Sequence, residues 1–115
     1  MDVFYALAEP SRRKIIELLA NSGRLTATEI CGSFKITPQA ISQHLKVLLE
    51  ARVLSFDRQA QRRIYRINPD SMLEVERWTR HMESLWNERL DALDRVLEEE
   101  KRRAGNKKGN GNGRQ

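Results

Sequence analysis

Apolar positions along the chain fall at helical spacing in most segments and alternate in one. Val3, Phe4 and Leu7 mark a short first helix over about 2–7. Pro10 suits a first helical turn, and Ile15, Leu18 and Leu19 repeat at helical spacing up to Gly23, which predicts a second helix over 10–21. Thr26 followed by Glu29 has capping-box spacing and opens a third helix over 27–34, with Ile30 and Phe34 facing inward. After the tight connection Lys35-Ile36, Thr37 is a good N-cap and Pro38 a good first helical residue, so a fourth helix runs to about Ala51. Residues 53–59 and 62–67 then alternate like strands around a tip at Ala60-Gln61. Asn68-Pro69 opens a last helix that meets no glycine or proline before about Arg103.

The order is helix, helix, helix-turn-helix, hairpin, long helix. It predicts a mainly α fold with a small β-hairpin, a winged helix-turn-helix followed by a long C-terminal dimerisation helix. Residues 1–103 form the expected domain. Residues 104–115 are basic and hold no apolar side chain larger than Ala104, so they are expected to be disordered.

At about 100° per residue the fourth helix buries Ile41, Leu45 and Leu48 on one side. Gln39, Gln43, Lys46 and Glu50 fall opposite, with Ser42 on one flank and Ala40 and Val47 on the other. Thr37, Gln39, Ala40, Ser42 and Gln43 thus form an exposed N-terminal half of short polar groups and one small apolar group. Such groups suit base edges and a thymine methyl. His44 lies at the edge of the buried stripe, where it either packs against the turn or hairpin or touches DNA.

Charge sharpens this reading. The net charge of +5 is uneven: residues 1–70 carry 11 Lys/Arg against 7 Asp/Glu, whereas residues 71–103 carry 7 against 9. Arg58, Arg62 and Arg63 cluster around the hairpin tip, where a basic wing meets a DNA backbone or minor groove. An edge strand protected by charge is the plainer alternative.

The last helix carries Val75, Trp78, Met82, Leu85, Trp86, Leu90, Leu93, Val96 and Leu97 at intervals of three or four. So wide a stripe exceeds what a small bundle covers, which calls for a second subunit. Val3, Phe4 and Leu7 are expected beside it. The dimer interface is therefore expected at Val3, Phe4, Leu7, Val75, Trp78, Met82, Leu85, Trp86, Leu90 and Leu93. Trp78, Met82, Leu85 and Trp86 would otherwise line an effector pocket between subunits.

One cysteine, Cys31, excludes an internal disulfide and fits a reducing compartment. No apolar run approaches a membrane span and no signal peptide is evident, so a cytoplasmic protein is expected. With no Gly-rich phosphate loop, no nucleophile beside a base, and only His44 and His81 as histidines, an enzyme is not expected.

The stretch TPQAISQHLKVLLEARVLSFDRQAQRRIYRI resembles the recognition helix and wing of the ArsR-type repressors, and ALAEPSRRKIIELL resembles their first helices. The resemblance spans residues 3–97. It implies a homodimeric winged-helix repressor on an imperfect palindrome, with Thr37, Gln39, Ala40, Ser42, Gln43 and His44 in or beside the major groove and Arg62 and Arg63 on the wing. Two positions depart from the pattern. Arg52 stands where the family usually has glycine after the recognition helix, and the wing tip Ala60-Gln61 lacks its usual glycine. Either turn is thus open to being rebuilt.

Many members sense metals. One such site uses two cysteines one residue apart, but here Cys31 is followed by Gly32 and Ser33. Another uses Asp and His on the last helix with a second His, and here His81 stands alone there. No metal and no other cofactor is expected. Metal-free members with a Trp-rich last helix resemble this chain. The leading reading is a dimeric DNA-binding repressor. A sensor of a small ligand or metal with the same fold and a winged helix used for protein docking are the alternatives. The operator, the regulated genes and the inducer are not legible in the sequence.

Overall fold

The computed structural model describes the backbone of residues 1–111 and the side chains of residues 1–105. It divides into a unit of residues 1–77 and a second unit from Trp78 onward. Eight elements follow one another: α1 (Val3–Leu7), α2 (Pro10–Ser22), β1 (Leu25–Thr26), α3 (Ala27–Gly32), α4 (Pro38–Glu50), β2 (Leu54–Gln59), β3 (Arg62–Ile67) and α5 (Pro69–Gly111).

Local chemistry starts each helix. The Asp2 carboxylate accepts from Tyr5 N at 2.9 Å and caps α1. Glu9 accepts from Ser11 N at 2.8 Å and caps α2, with Pro10 in the first turn. Thr26 and Glu29 close a reciprocal capping box on α3: Thr26 N donates to Glu29 Oε1 at 2.8 Å, and Glu29 N donates to Thr26 Oγ1 at 3.2 Å. Gly23, at φ +87°, ends α2 by donating to the Leu19 carbonyl.

The end of α4 uses a left-handed residue that is not glycine. Arg52 has φ +62°; its N–H donates to the Leu49 carbonyl, and Val53 N–H donates to the Leu48 carbonyl at 2.9 Å. These two bonds define a Schellman motif. Leu48 and Val53, the hydrophobic pair of that motif, are both fully buried. The turn is therefore retained with arginine in the glycine position. Asn68 fixes it from the far side. Its Nδ2 donates to the Arg52 carbonyl at 2.9 Å, its N–H donates to the Val53 carbonyl, and its Oδ1 accepts from Asp70 N at the start of α5.

The sheet has the order β1-β3-β2, all antiparallel. Leu25 pairs with Tyr65 and Thr26 with Ile64. The hairpin pairs Gln59 with Arg62, leaving a two-residue loop in which Ala60 has φ +59°. A positive φ in so short a loop is where hairpins usually place glycine, and here alanine takes it. The core joins Ile15 and Leu19 of α2, Ile30 of α3, Ile41, Leu45 and Leu48 of α4, and Leu54 and Tyr65 of the sheet. The fold is a winged helix-turn-helix with a long C-terminal helix. Among the described residues, no helix is long and apolar enough to cross a membrane.

Several sequence expectations are corrected. Strand β1 was not anticipated, because a two-residue strand carries no period. Helix α3 ends at Gly32, two residues early, and Phe34 packs on the core from the following turn. Val53 precedes β2 because its N–H is spent in the Schellman motif. Val3, expected at a dimer interface, is only 2% exposed within a single chain and belongs to the core. A five-residue helix has one inward face, and α1 gives it to Val3 and Ala6. Helix α5 extends to Gly111, past the expected stop at Arg103. Residues 112–115, the end of the expected disordered tail, lie outside the described residues.

Candidate nucleic-acid interface

Helix α4 buries Ile41, Leu45 and Leu48 and exposes Gln39, Ser42, Gln43 and Lys46, as its wheel predicts. Ala40 and Val47 are half-buried on the flank. Thr37 is exposed and caps the helix, its Oγ1 accepting from Ala40 N at 3.1 Å. Those anchoring contacts hold a row of polar side chains in solvent at the N-terminal half of the helix.

His44 differs from its neighbours. It is half-buried, and its Nε2 lies 3.3 Å from Glu9 Oε2. The contact is with the cap of α2, not with the turn or hairpin that the sequence suggested as its packing partners. Glu9 serves two partners, holding Ser11 N through Oε1 and His44 through Oε2. The hydrogen bond from Ser11 N holds the Glu9 carboxyl below the usual carboxylate range against an opposing effect of desolvation, with lesser help from the nearby His44 and Arg12.

The strand register sorts the wing arginines onto two faces. Phe56 pairs with Tyr65, and Arg58 with Arg63 two residues further out, so these four share the inner, core-facing side. The Phe56 and Tyr65 rings lie 6.0 Å apart, and the Arg63 guanidinium sits 4.3 Å over Phe56. A groove of about 460 Å³ between α4 and β3 brings Ser42 and Lys46 together with Arg63, with Glu50 also on its lining. Arg58 and Arg63 are like charges directly opposed, an unfavourable cross-strand pair. Among the described residues, neither they nor Lys46 have a carboxylate within ion-pair distance.

Arg62 lies on the outer face, opposite Gln59. It is near enough to Glu29 to help lower that carboxyl, after the larger effect of the hydrogen bonds from Thr26. Asp57, also outer, binds Arg24 and Arg66, the latter through Nε at 3.2 Å. Hydrogen bonding from Arg66 is the main reason the Asp57 carboxyl lies below its ordinary range. Sequence reasoning missed Arg24, which reaches the wing only because β1 joins the sheet. Arg12 and Arg13 are spent elsewhere: Arg12 Nε donates to the Ala6 carbonyl at 2.8 Å, and Arg13 donates to the Leu7 carbonyl, closing the end of α1.

A family model described as bacterial regulatory protein, arsR family, matches residues 9–55. The chain is 38% identical to the transcriptional repressor SdpR of Bacillus subtilis over 77 residues, which cover 67% of this chain and 84% of SdpR. The chain belongs to the arsR family. Among solved structures, it is 32% identical to a possible transcriptional regulator for arsenical resistance, with a TM-score of 0.64 and coverage of 86% and 96%. It is 27% identical to the homodimeric winged helix-turn-helix DNA-binding domain of Mb0332 from Mycobacterium bovis, a possible regulator of the same family, with a TM-score of 0.57 and coverage of 72% and 78%. The family match runs from the cap of α2 through α4 to the start of β2, so the helix-turn-helix is its centre. Its relatives are transcription regulators, not enzymes.

Other residues expected to serve a dimer stand as follows. Leu7 and Val75 are half-buried against the core. Phe4 is exposed, and every described side chain from Glu76 to Gly105 is exposed. Met82, Leu85, Leu90, Trp78, Leu93 and Trp86 range from 40% to 60% exposed. Cys31 is half-buried among apolar neighbours of the core. Among the described residues no three His, Cys, Asp or Glu side chains cluster as a metal site.

Proposed function

We propose that this arsR-family chain is a transcriptional repressor that binds a palindromic operator as a homodimer in the cytoplasm. One observation carries the reading: Ser42 and Lys46 of α4 share a groove with Arg63, on a wing face whose two opposed arginines have no carboxylate within ion-pair distance among the described residues, Glu50 lining the same groove beyond that distance. Opposed like charges gain from a polyanion that sits between or beside them. Thr37, Gln39, Ala40, Ser42 and Gln43 read base edges in the major groove, and Lys46, Arg58, Arg62 and Arg63 meet the backbone. The exposed stripe of α5, from Trp78 to Leu93, supports a second copy as the partner. Two recognition helices then address half-sites about one duplex turn apart. SdpR is described as a repressor and the Mb0332 domain as homodimeric, and both agree with this reading.

The test is a duplex selected by the full protein from a random pool, compared with a scrambled duplex by fluorescence anisotropy at two salt concentrations. The expected result is a preference of roughly a thousandfold or more for the selected duplex, with both affinities falling as salt rises. Failure to bind either duplex at low salt overturns the proposal.

A further inference from the structure

The two faces of the hairpin differ in charge. The inner face presents Arg58 and Arg63 with no carboxylate within ion-pair distance among the described residues. The outer face holds Asp57 between two guanidiniums. Thr26, Ile64 and Asp57 form one row across the three strands. Arg24 lies two residues before Thr26 and Arg66 two residues after Ile64, which sets them side by side, and the Asp57 carboxylate on β2 reaches both. The Asp57 and Arg24 side chains remain 45% and 57% exposed. Exposed ion pairs add little to stability. Their larger effect is on the field: two cations at the base of the wing are occupied by a group of the chain itself.

We infer that Asp57 is a specificity-determining residue: by engaging Arg24 and Arg66 at the base of the outer face, it leaves the DNA backbone to Arg58 and Arg63 on the inner face and to Arg62 beside the tip. This rests on the DNA-binding reading above. When α4 is seated on its operator, base contacts fix which face of the wing meets the duplex. On an unrelated duplex nothing fixes that register, and any unoccupied guanidinium finds a phosphate. Asp57 therefore limits non-specific binding more than specific binding.

The experiment measures the salt dependence of binding by the full protein to a random-sequence duplex and to a duplex selected from a pool. Asp57→Asn is expected to steepen the log–log salt slope on the random duplex by about 1 to 2, near 0.9 for each freed cation. Random-duplex affinity at low salt should rise several-fold while affinity for the selected duplex changes less, so the ratio narrows. An unchanged slope on the random duplex overturns the inference. Arg24→Gln in the otherwise unaltered protein supplies an independent arm, which also decides the matter if Asp57→Asn does not fold by circular dichroism. It should leave both slopes unchanged, and a shallower slope means that Arg24 already contacts phosphate, which overturns the inference. Lack of salt-dependent binding by the unaltered protein defeats the DNA-binding reading itself. Binding with an unaltered Asp57→Asn slope defeats only the role of Asp57.

Discussion

His44 on the recognition helix and Glu9 at the cap of α2 lie within 3.3 Å of each other, Nε2 to Oε2. Through this contact the carboxylate that starts α2 also holds the middle of α4. We propose that His44 positions the helix, while Gln43, its exposed neighbour, meets a base.

That division predicts different outcomes at adjacent positions. Gln43→Ala should narrow the preference for a selected operator over a random duplex by roughly tenfold or more, because a good base contact is worth about 1–3 kcal/mol of discrimination. His44→Gln should weaken binding to both duplexes by similar factors and leave the ratio within about threefold of its starting value. Anisotropy titrations of the two variants check this. Equal collapse of the ratio in both would place His44 on the bases. Arg63→Ala should weaken both duplexes alike and lower the salt slope by about 1.

The two left-handed residues make a stability prediction. Arg52 at φ +62° and Ala60 at φ +59° occupy a region that costs an L residue about 1–2 kcal/mol. Glycine removes that cost and adds about 0.4–1 kcal/mol of unfolded-state entropy. Arg52→Gly and Ala60→Gly should therefore each stabilise by about 0.5–1 kcal/mol in urea unfolding. Gly23→Ala, at φ +87°, should destabilise. Loss of stability in both glycine variants would mean that these turns adopt another conformation in solution.

Much of this fold is legible where the chemistry is local. Thr26 with Glu29, Thr37 with Pro38, and Asn68 with Pro69 mark helix starts from a few neighbouring residues, and each start is found there. The wheel of α4 separates Ile41, Leu45 and Leu48 from the polar row because three and a half turns average out local error. What was not legible depends on residues distant in sequence. The strand Leu25–Thr26 exists only as a partner for β3. The contact of Glu9 with His44 and the ion pair of Arg24 with Asp57 span separations that no local period encodes. Val3 and Phe4 are adjacent in a helix of little more than one turn, too short for periodicity to say which one enters the core.

Acid should weaken the fold through three carboxylates. Glu9, Glu29 and Asp57 are each held below their ordinary ranges by hydrogen bonds and nearby cations, so the folded state favours their charged forms. Their contribution is present above the unfolded carboxylate range and is lost as pH falls through the lowered folded values. The urea midpoint should accordingly stay level from neutral pH down to the carboxylate range and then drop. Glu29→Gln and Asp57→Asn should each flatten that acid limb slightly. A limb unchanged by both substitutions would assign acid sensitivity to other groups.

The exposed stripe of α5 gives the last prediction. Trp78, Met82, Leu85, Trp86, Leu90 and Leu93 are exposed in a single chain while recurring at helical spacing. Leaving such a stripe in water forfeits burial worth about 1.5–3 kcal/mol for each large side chain covered. A second copy is the partner we propose, and a glutamate placed within the stripe would then be buried without a counter-charge. Leu90→Glu should raise the dimer dissociation constant by roughly a hundredfold or more, from a penalty of about 3–5 kcal/mol for an uncompensated buried charge. Analytical ultracentrifugation reads the mass directly. Helical circular dichroism of the 1–77 unit should persist in the variant, because its core contains no residue beyond Val75. If Leu90→Glu leaves the mass distribution of the unaltered protein in place, Leu90 is outside any subunit contact.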